Sequence, residues 1–245
     1  MKRCIVNVFS EGRENYVAGT KRLINSLKDV GYIGDIIVWS PLIKDYVIST
    51  FLPQNITLHQ YEGWGCNEKY GECKPHKEAN YQFKSYTMQF AREQGYDQVM
   101  WCDSSTIFLK NPQMYFDLVE EIGVLTFDAS KSIEAEWTAD ITLEAMGCDI
   151  DFAKAMTQCY GGLYAFDFRH DVANIVFDEY IQYASNVNIL NGVGGSTRPE
   201  FKEHRHDMSI LSFLIRKNKL YNLSFGSYVW SGFNHNYSTA ISKGM

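Results

Sequence analysis

The chain opens with an apolar run over residues 4–9 and a polar turn over residues 10–15. Val17, Leu23, Ile24 and Leu27 follow at a spacing that predicts a helix. Asp35-Ile36-Ile37-Val38-Trp39 is too short for a helix and too continuous for a strand with one wet face. It predicts a parallel strand covered on both sides, and so a βαβ opening. Residues 81–94 read as a helix burying Phe83, Met88 and Phe90, with Gly95 where a left-handed cap is expected. Residues 98–102 then form the next strand, and Asp103-Ser104-Ser105 falls just past its carboxyl end, the edge where open α/β sheets place ligands. Further on, the pattern predicts a strand at 124–127, short helices at 141–146 and 152–157 in a lid or insert, and a strand at 163–166 after Gly161-Gly162. A helix at 173–184, a flexible loop at 191–199 and a last helix at 208–217 complete the reading. No repeat or linker-like break divides the sequence, so residues 1–245 read as one α/β domain.

Composition narrows the function classes. A chain of 245 residues, 45% apolar, buries roughly three quarters of the surface its unfolded form exposes and needs no staples. A net charge of −6 argues against nonspecific nucleic-acid binding, which depends on clustered Lys and Arg. The start turns polar at Ser10, too early for a secretion signal, and no stretch reaches the roughly 20 apolar residues of a membrane span. The expectation is a cytoplasmic protein with no transmembrane segment. Its six scattered cysteines then read as reduced thiols, and the sequons at Asn55, Asn222 and Asn236 as accidental. Cys66, Cys73 and His76 match no common zinc spacing.

Three segments together carry a resemblance: Tyr81-Gln82-Phe83-Lys84, Val99-Met100-Trp101-Cys102-Asp103-Ser104-Ser105 and Phe108-Leu109-Lys110-Asn111-Pro112. They resemble the retaining glycosyltransferases of GT-A fold that include glycogenin and bacterial lipopolysaccharide galactosyltransferases. In that family a helix bearing a Ser-Lys pair precedes a strand ending in Asp-x-Asp. Tyr16 with Asn25-Ser26-Leu27, Gly161-Gly162-Leu163-Tyr164-Ala165-Phe166-Asp167 and His206-Asp207-Met208-Ser209-Ile210-Leu211 resemble further segments in the same order. The resemblance implies a mostly parallel central sheet flanked by helices. It also implies transfer of a sugar from a nucleotide diphosphate sugar, a UDP-sugar in the first instance, to a glycan or lipid-linked glycan hydroxyl.

On that resemblance Phe9, Ser10, Arg13 and Tyr16 would hold base and ribose, and Lys84, Asp103 and Ser105 would face the diphosphate. Gly162, Asp140, His206 and Asp207 would surround the transferred sugar and acceptor, with Asp103, Asp207 and His206 the catalytic candidates. A pair of carboxylates suits a divalent cation bridging diphosphate oxygens. Here Ser105 replaces the second carboxylate. The expectation is a weakly held Mn or Mg ion on Asp103 and His235; the alternative is that Lys84, Arg13 or Arg205 meets the diphosphate charge. Each residue also has a structural role open to it: Asp103 in an Asx turn, Lys84 on a solvated face, Asp207 as a helix N-cap. Trp137 and Trp230 are core residues or sugar platforms. Two other functions compete: a noncatalytic carbohydrate or nucleotide-sugar binding module, which the missing carboxylate fits, and a sugar-nucleotide pyrophosphorylase, for which Ser10-Glu11-Gly12-Arg13 is too poor in glycine.

Overall fold

The computed structural model describes residues 1–8, 14–40, 56–60, 78–224, 229–230 and 240–242. Its first half alternates β1 (Arg3–Val8), α1 (Glu14–Asp29), β2 (Asp35–Ser40) and β3 (Ile56–Gln60), then α2 (Gln82–Glu93), β4 (Gln98–Cys102), β5 (Thr106–Phe108) and α3 (Gln113–Ile122). The second half adds β6 (Val124–Leu125), β7 (Asp128–Ile133), α4 (Glu134–Trp137), α5 (Asp140–Met146), α6 (Ile150–Lys154), β8 (Thr157–Cys159) and β9 (Leu163–Asp167). It ends with α7 (Asp171–Ser185), α8 (Val187–Asn191), α9 (His206–Lys217), β10 (Val229–Trp230) and β11 (Ala240–Ser242). A six-stranded sheet runs β3-β2-β1-β4-β9-β6, and β10, β11 and β5 form a small second sheet. β3, β2, β1 and β4 are parallel, whereas β9 is antiparallel to β4 and to β6. Among the described residues no helix is long and apolar enough to cross a membrane.

The continuous apolar strands are explained by cover on both faces. Cys4, Val6 and Val8 of β1 and Val99 and Trp101 of β4 pack with Phe83 and Met88 of α2, Phe177 and Tyr180 of α7 and Ile210 of α9. Ile5, Met100 and Cys102, pointing the opposite way, pack with Leu23, Ile24 and Leu27 of α1 and Tyr115 and Phe116 of α3. A side chain such as Trp101 or Tyr164, removed from water on this scale, contributes several kcal/mol at about 25 cal/mol per Å² over roughly 150–250 Å². Gly95, with φ +78, takes the left-handed position just past the end of α2, three positions before β4 begins.

Because β1 and β4 are parallel, their carboxyl ends share one edge, and a buried polar network fixes the turn that follows β4. Asn7 Nδ2 donates to the Cys102 carbonyl at 2.6 Å, and Thr20 Oγ1 donates to Asn7 Oδ1 at 2.7 Å. With its proton so used, Thr20 accepts from Ser104 Oγ at 3.0 Å. Gly19 permits this: a Cβ there would stand 2.5 Å from the Ser104 carbonyl oxygen.

Two expected elements need correction. The short helix expected at 152–157 lies earlier, as α6 over Ile150–Lys154, and Thr157 begins strand β8, which pairs with β7. Asp207 is not an N-cap: α9 begins at His206 after Arg205, no side chain caps it, and Asp207 is buried in its first turn.

The β7–β8 region also encloses Glu134, with no solvent exposure, which accepts from Thr138 Oγ1. Burial pushes its carboxyl up to about 8, against the pull of its bonds from Thr138 and Gln158. The folded protein therefore keeps a proton that the unfolded chain, with an ordinary glutamate near 4.3, gives up. Stability from this group is complete below the unfolded value and is lost as pH rises toward about 8, by up to about 1.4 kcal/mol per pH unit. Glu134→Gln should gain in melting temperature over the parent as pH is raised from 5 to about 8. Parallel melting curves over that range would contradict the protonated carboxyl.

Candidate active site

At the carboxyl edge of β4 the ammonium of Lys84 is enclosed by oxygen. Its Nζ donates to the Gly161 carbonyl at 2.8 Å, and lies 3.2 Å from Asp103 Oδ1 and 3.1 Å from Asp207 Oδ2. Four segments supply these groups: α2 the lysine, the turn just past β4 Asp103, the turn between β8 and β9 the Gly161 carbonyl, and the first turn of α9 Asp207. Trp101 Nε1 donates to the same Asp103 Oδ1 at 2.7 Å, and the rings of Tyr81 and Trp101 stand 4.8 Å and 5.4 Å from Nζ. Lys84 is 3% exposed, which excludes the solvated-face role. Burial would pull its pKa down, but Asp103 and Asp207 outweigh that and hold it above the ordinary lysine value, so it stays charged. Burial holds the Asp207 carboxyl above the usual carboxylate value, although Lys84 pulls it back.

Two cavities meet at this cluster. The larger, about 300 Å³, is lined by Tyr81, Lys84, Asp103 and residues 160–162 and 203–208. The smaller, about 100 Å³, reaches toward the end of β1 and is lined by Val8, Phe83, Trp101, Ser104 and Ser105, with Tyr81, Lys84 and Asp103 again. Lys84 and Asp103 thus stand in the wall the two spaces share.

The histidines of the larger cavity have defined tautomers. The Ala139 N–H donates to His204 Nδ1 at 3.2 Å, so His204 carries its proton on Nε2 and donates to the Leu190 carbonyl at 2.9 Å. Burial, aided by His206, lowers its pKa to about 4, and it acts as a neutral brace. His206 Nδ1 lies 3.2 Å from the same carbonyl, which can only accept, so in the neutral ring Nε2 is left as the acceptor. Burial lowers the His206 pKa, which favours that neutral ring. His206 and Tyr81 both hold left-handed backbone, φ 48 and φ 61, and their rings meet at 5.4 Å. Such strain costs of order 1–3 kcal/mol per residue and concentrates at binding sites.

The sequence-derived residues divide accordingly. Lys84, Asp103, Ser105, Gly162, His206 and Asp207 line one or both cavities. The Gly162 carbonyl accepts from the Asp103 amide at 2.8 Å, tying the β9 approach to the β4 turn. Asp140 is not among the lining residues; its carboxylate pairs with Arg198, which also donates to the Ala135 and Thr138 carbonyls. Tyr16 falls on α1, whereas Phe9, Ser10, Arg13 and His235 lie outside the described residues, as do Cys66, Cys73 and His76. Trp137 has the Arg205 guanidinium 3.9 Å from its ring centre, so one face is taken by a cation. Tyr81, Trp101 and Gly161 lie in the segments that carry the resemblance, but the sequence assigns none of them a role in the site.

The donor set does not fit a resident divalent cation among the described residues. Those residues hold no group of three His, Cys, Asp or Glu side chains able to bind one. The single carboxylate of the Asp-Ser-Ser turn already has an indole N–H and an ammonium at Oδ1. Like-signed charges a few ångströms apart at a partly buried site repel by several kcal/mol.

Compared by sequence, the chain matches no family profile and no curated protein. Compared by structure, it is similar to the apo form of the bifunctional glycosyltransferase WbbM, with TM-score 0.60 and 12% identity. The match covers 98% of this chain and 45% of WbbM, so the chain spans less than half the length of that protein. It is also similar to apo mouse xyloside xylosyltransferase 1, with TM-score 0.57, 8% identity and coverage of 98% of this chain and 96% of that one. The fold is the GT-A glycosyltransferase fold. A mostly parallel sheet flanked by helices, which the resemblance implied and the βαβ opening fits, is what the structure holds.

Proposed function

We propose that the protein is a glycosyltransferase that moves a sugar from a nucleotide diphosphate sugar, a UDP-sugar foremost, to a hydroxyl of a glycan or lipid-linked glycan. The observation that carries this is the Lys84 ammonium held between Asp103 and Asp207 in the wall shared by two cavities at the sheet's carboxyl edge. Open α/β sheets bind ligands at that edge. A buried, permanently charged group there offers a diphosphate a counter-charge already fixed in place. The smaller cavity, reaching toward β1, suits the nucleotide side; the larger suits the transferred sugar and the acceptor. In this reading Asp103 orients Lys84 and bonds donor hydroxyls, while Asp207 and neutral His206 accept hydrogen bonds from sugar hydroxyls.

Transfer with retention rests on the resemblance. The bond from the anomeric carbon to the diphosphate oxygen breaks, the acceptor oxygen bonds to that carbon on the same face, and the departing diphosphate takes the acceptor proton. Met208, whose Cγ would lie 2.5 Å from a Cβ placed on Gly161, covers the glycine turn with an apolar chain where the resembling family often has Gln.

An assay of released nucleoside diphosphate over a nucleotide-sugar panel tests the reading. Asp103→Ala should lower turnover by about a hundredfold, the scale of removing one preorganised polar group from a reacting centre. Undiminished turnover with every sugar the parent uses would refute the site. Ser105 in place of a carboxylate favours the second reading, a binding module; nucleotide-sugar binding without hydrolysis or transfer would select it.

A further inference from the structure

Resting on that donor site, we infer that Lys84 takes the place of a divalent cation, so that the protein binds the diphosphate of its donor without added metal. The geometry is that of an occupied cation position. Nζ has oxygens from three separate segments of the chain at 2.8, 3.2 and 3.1 Å: a peptide carbonyl and two carboxylates. These are the oxygen types a hard cation gathers. The carboxylate a bridging ion would use, Asp103, spends Oδ1 on Trp101 and on the ammonium itself. The next position able to contribute a charge in the turn is Ser105, a neutral hydroxyl. A metal ion set against Asp103 Oδ1 would meet the ammonium there, and on Oδ2 it would have no second carboxylate in the turn to share. The ammonium also adjoins both cavities, so one fixed charge reaches a phosphate entering from the β1 side and a sugar on the α9 side. The ammonium's three protons already meet Gly161, Asp103 and Asp207, so a phosphate oxygen takes over one of those contacts, that of the more exposed Asp103.

Calorimetric titration of the parent protein with uridine diphosphate, once with a chelator and once with manganese, decides the question. The expected result is a dissociation constant that differs by less than about threefold between the two media, since no coordination bond is made or lost. Lys84→Met, shown by circular dichroism to be folded, should bind about tenfold or more weakly in both, the loss of one charge-assisted contact. Binding that falls about tenfold or more under chelation overturns the metal-free site and leaves the donor reading standing. Uridine diphosphate affinity unchanged in folded Lys84→Met also overturns it. Absence of binding of any nucleoside diphosphate in either medium overturns the donor reading, and this inference with it.

Discussion

Lys84→Met is expected to lower the unfolding free energy by about 3–5 kcal/mol, the cost of removing one partner from a buried ion pair. At roughly 2–4 °C per kcal/mol for a chain of this size, the melting temperature should fall by roughly 6–20 °C. Lys84 is the only group placed between Asp103 Oδ1 and Asp207 Oδ2 in the described contacts. Without it two carboxylates face each other, one of them 3% exposed. The thioether fills the stem's volume, so the loss reports charge rather than a cavity. Lys84→Met combined with Asp207→Leu should recover part of the loss, because the stranded charge is gone, and the double-mutant cycle measures the coupling. Thermal melts of the four proteins check this. A melting temperature for Lys84→Met equal to the parent's would mean the ammonium is not structurally paired.

Asp207→Asn should keep the fold and lose turnover by about a hundredfold or more, the scale of truncating one member of a buried, hydrogen-bonded charge pair. Asparagine keeps the shape of the side chain in the first turn of α9 and leaves Asp103 to balance Lys84. It removes the anionic acceptor offered to sugar hydroxyls in the larger cavity. The effect should fall on kcat together with kcat/KM, the pattern of an interaction gained in the transition state. Single-turnover measurement with saturating donor distinguishes that from weaker ground-state binding. Unchanged kcat would confine Asp207 to holding Lys84.

Much of the fold was legible because burial on both faces leaves an unmistakable trace: Ile36-Ile37-Val38 and Val99-Met100-Trp101-Cys102 can be little else than covered strands. The helices 81–94, 173–184 and 208–217 kept their apolar spacing to within two residues of the observed ends. The insert was less legible. Asp128-Ala129-Ser130-Lys131-Ser132-Ile133 has no two-residue alternation, and its pairing with β8 shifts register along its length. Phe152 and Met156, four apart, imitate a helix face, yet α6 stops at Lys154 and Met156 is buried just beyond it. In the site, Asp103 was visible from its place just past a strand end, and Lys84 only through the resemblance. That the lysine is buried, and that Asp207 meets it from 123 residues further along, depends on helix packing that no local pattern records. Asp140 marks the same limit, since its partner Arg198 lies 58 positions away in the glycine-rich loop.

The bonds that hold the turn after β4 connect residues 95, 97 and 84 positions apart: Asn7 with Cys102, Asn7 with Ser104, and Thr20 with Ser104. Contacts so remote along the chain close only after long loops have been brought together, and chains dominated by them reach the native state slowly. The turn is therefore braced only once β1, α1 and β4 have come together. A fragment carrying only residues 78–224 would keep Lys84, Asp103 and Asp207 but would lack the strand and helix against which their turn is braced.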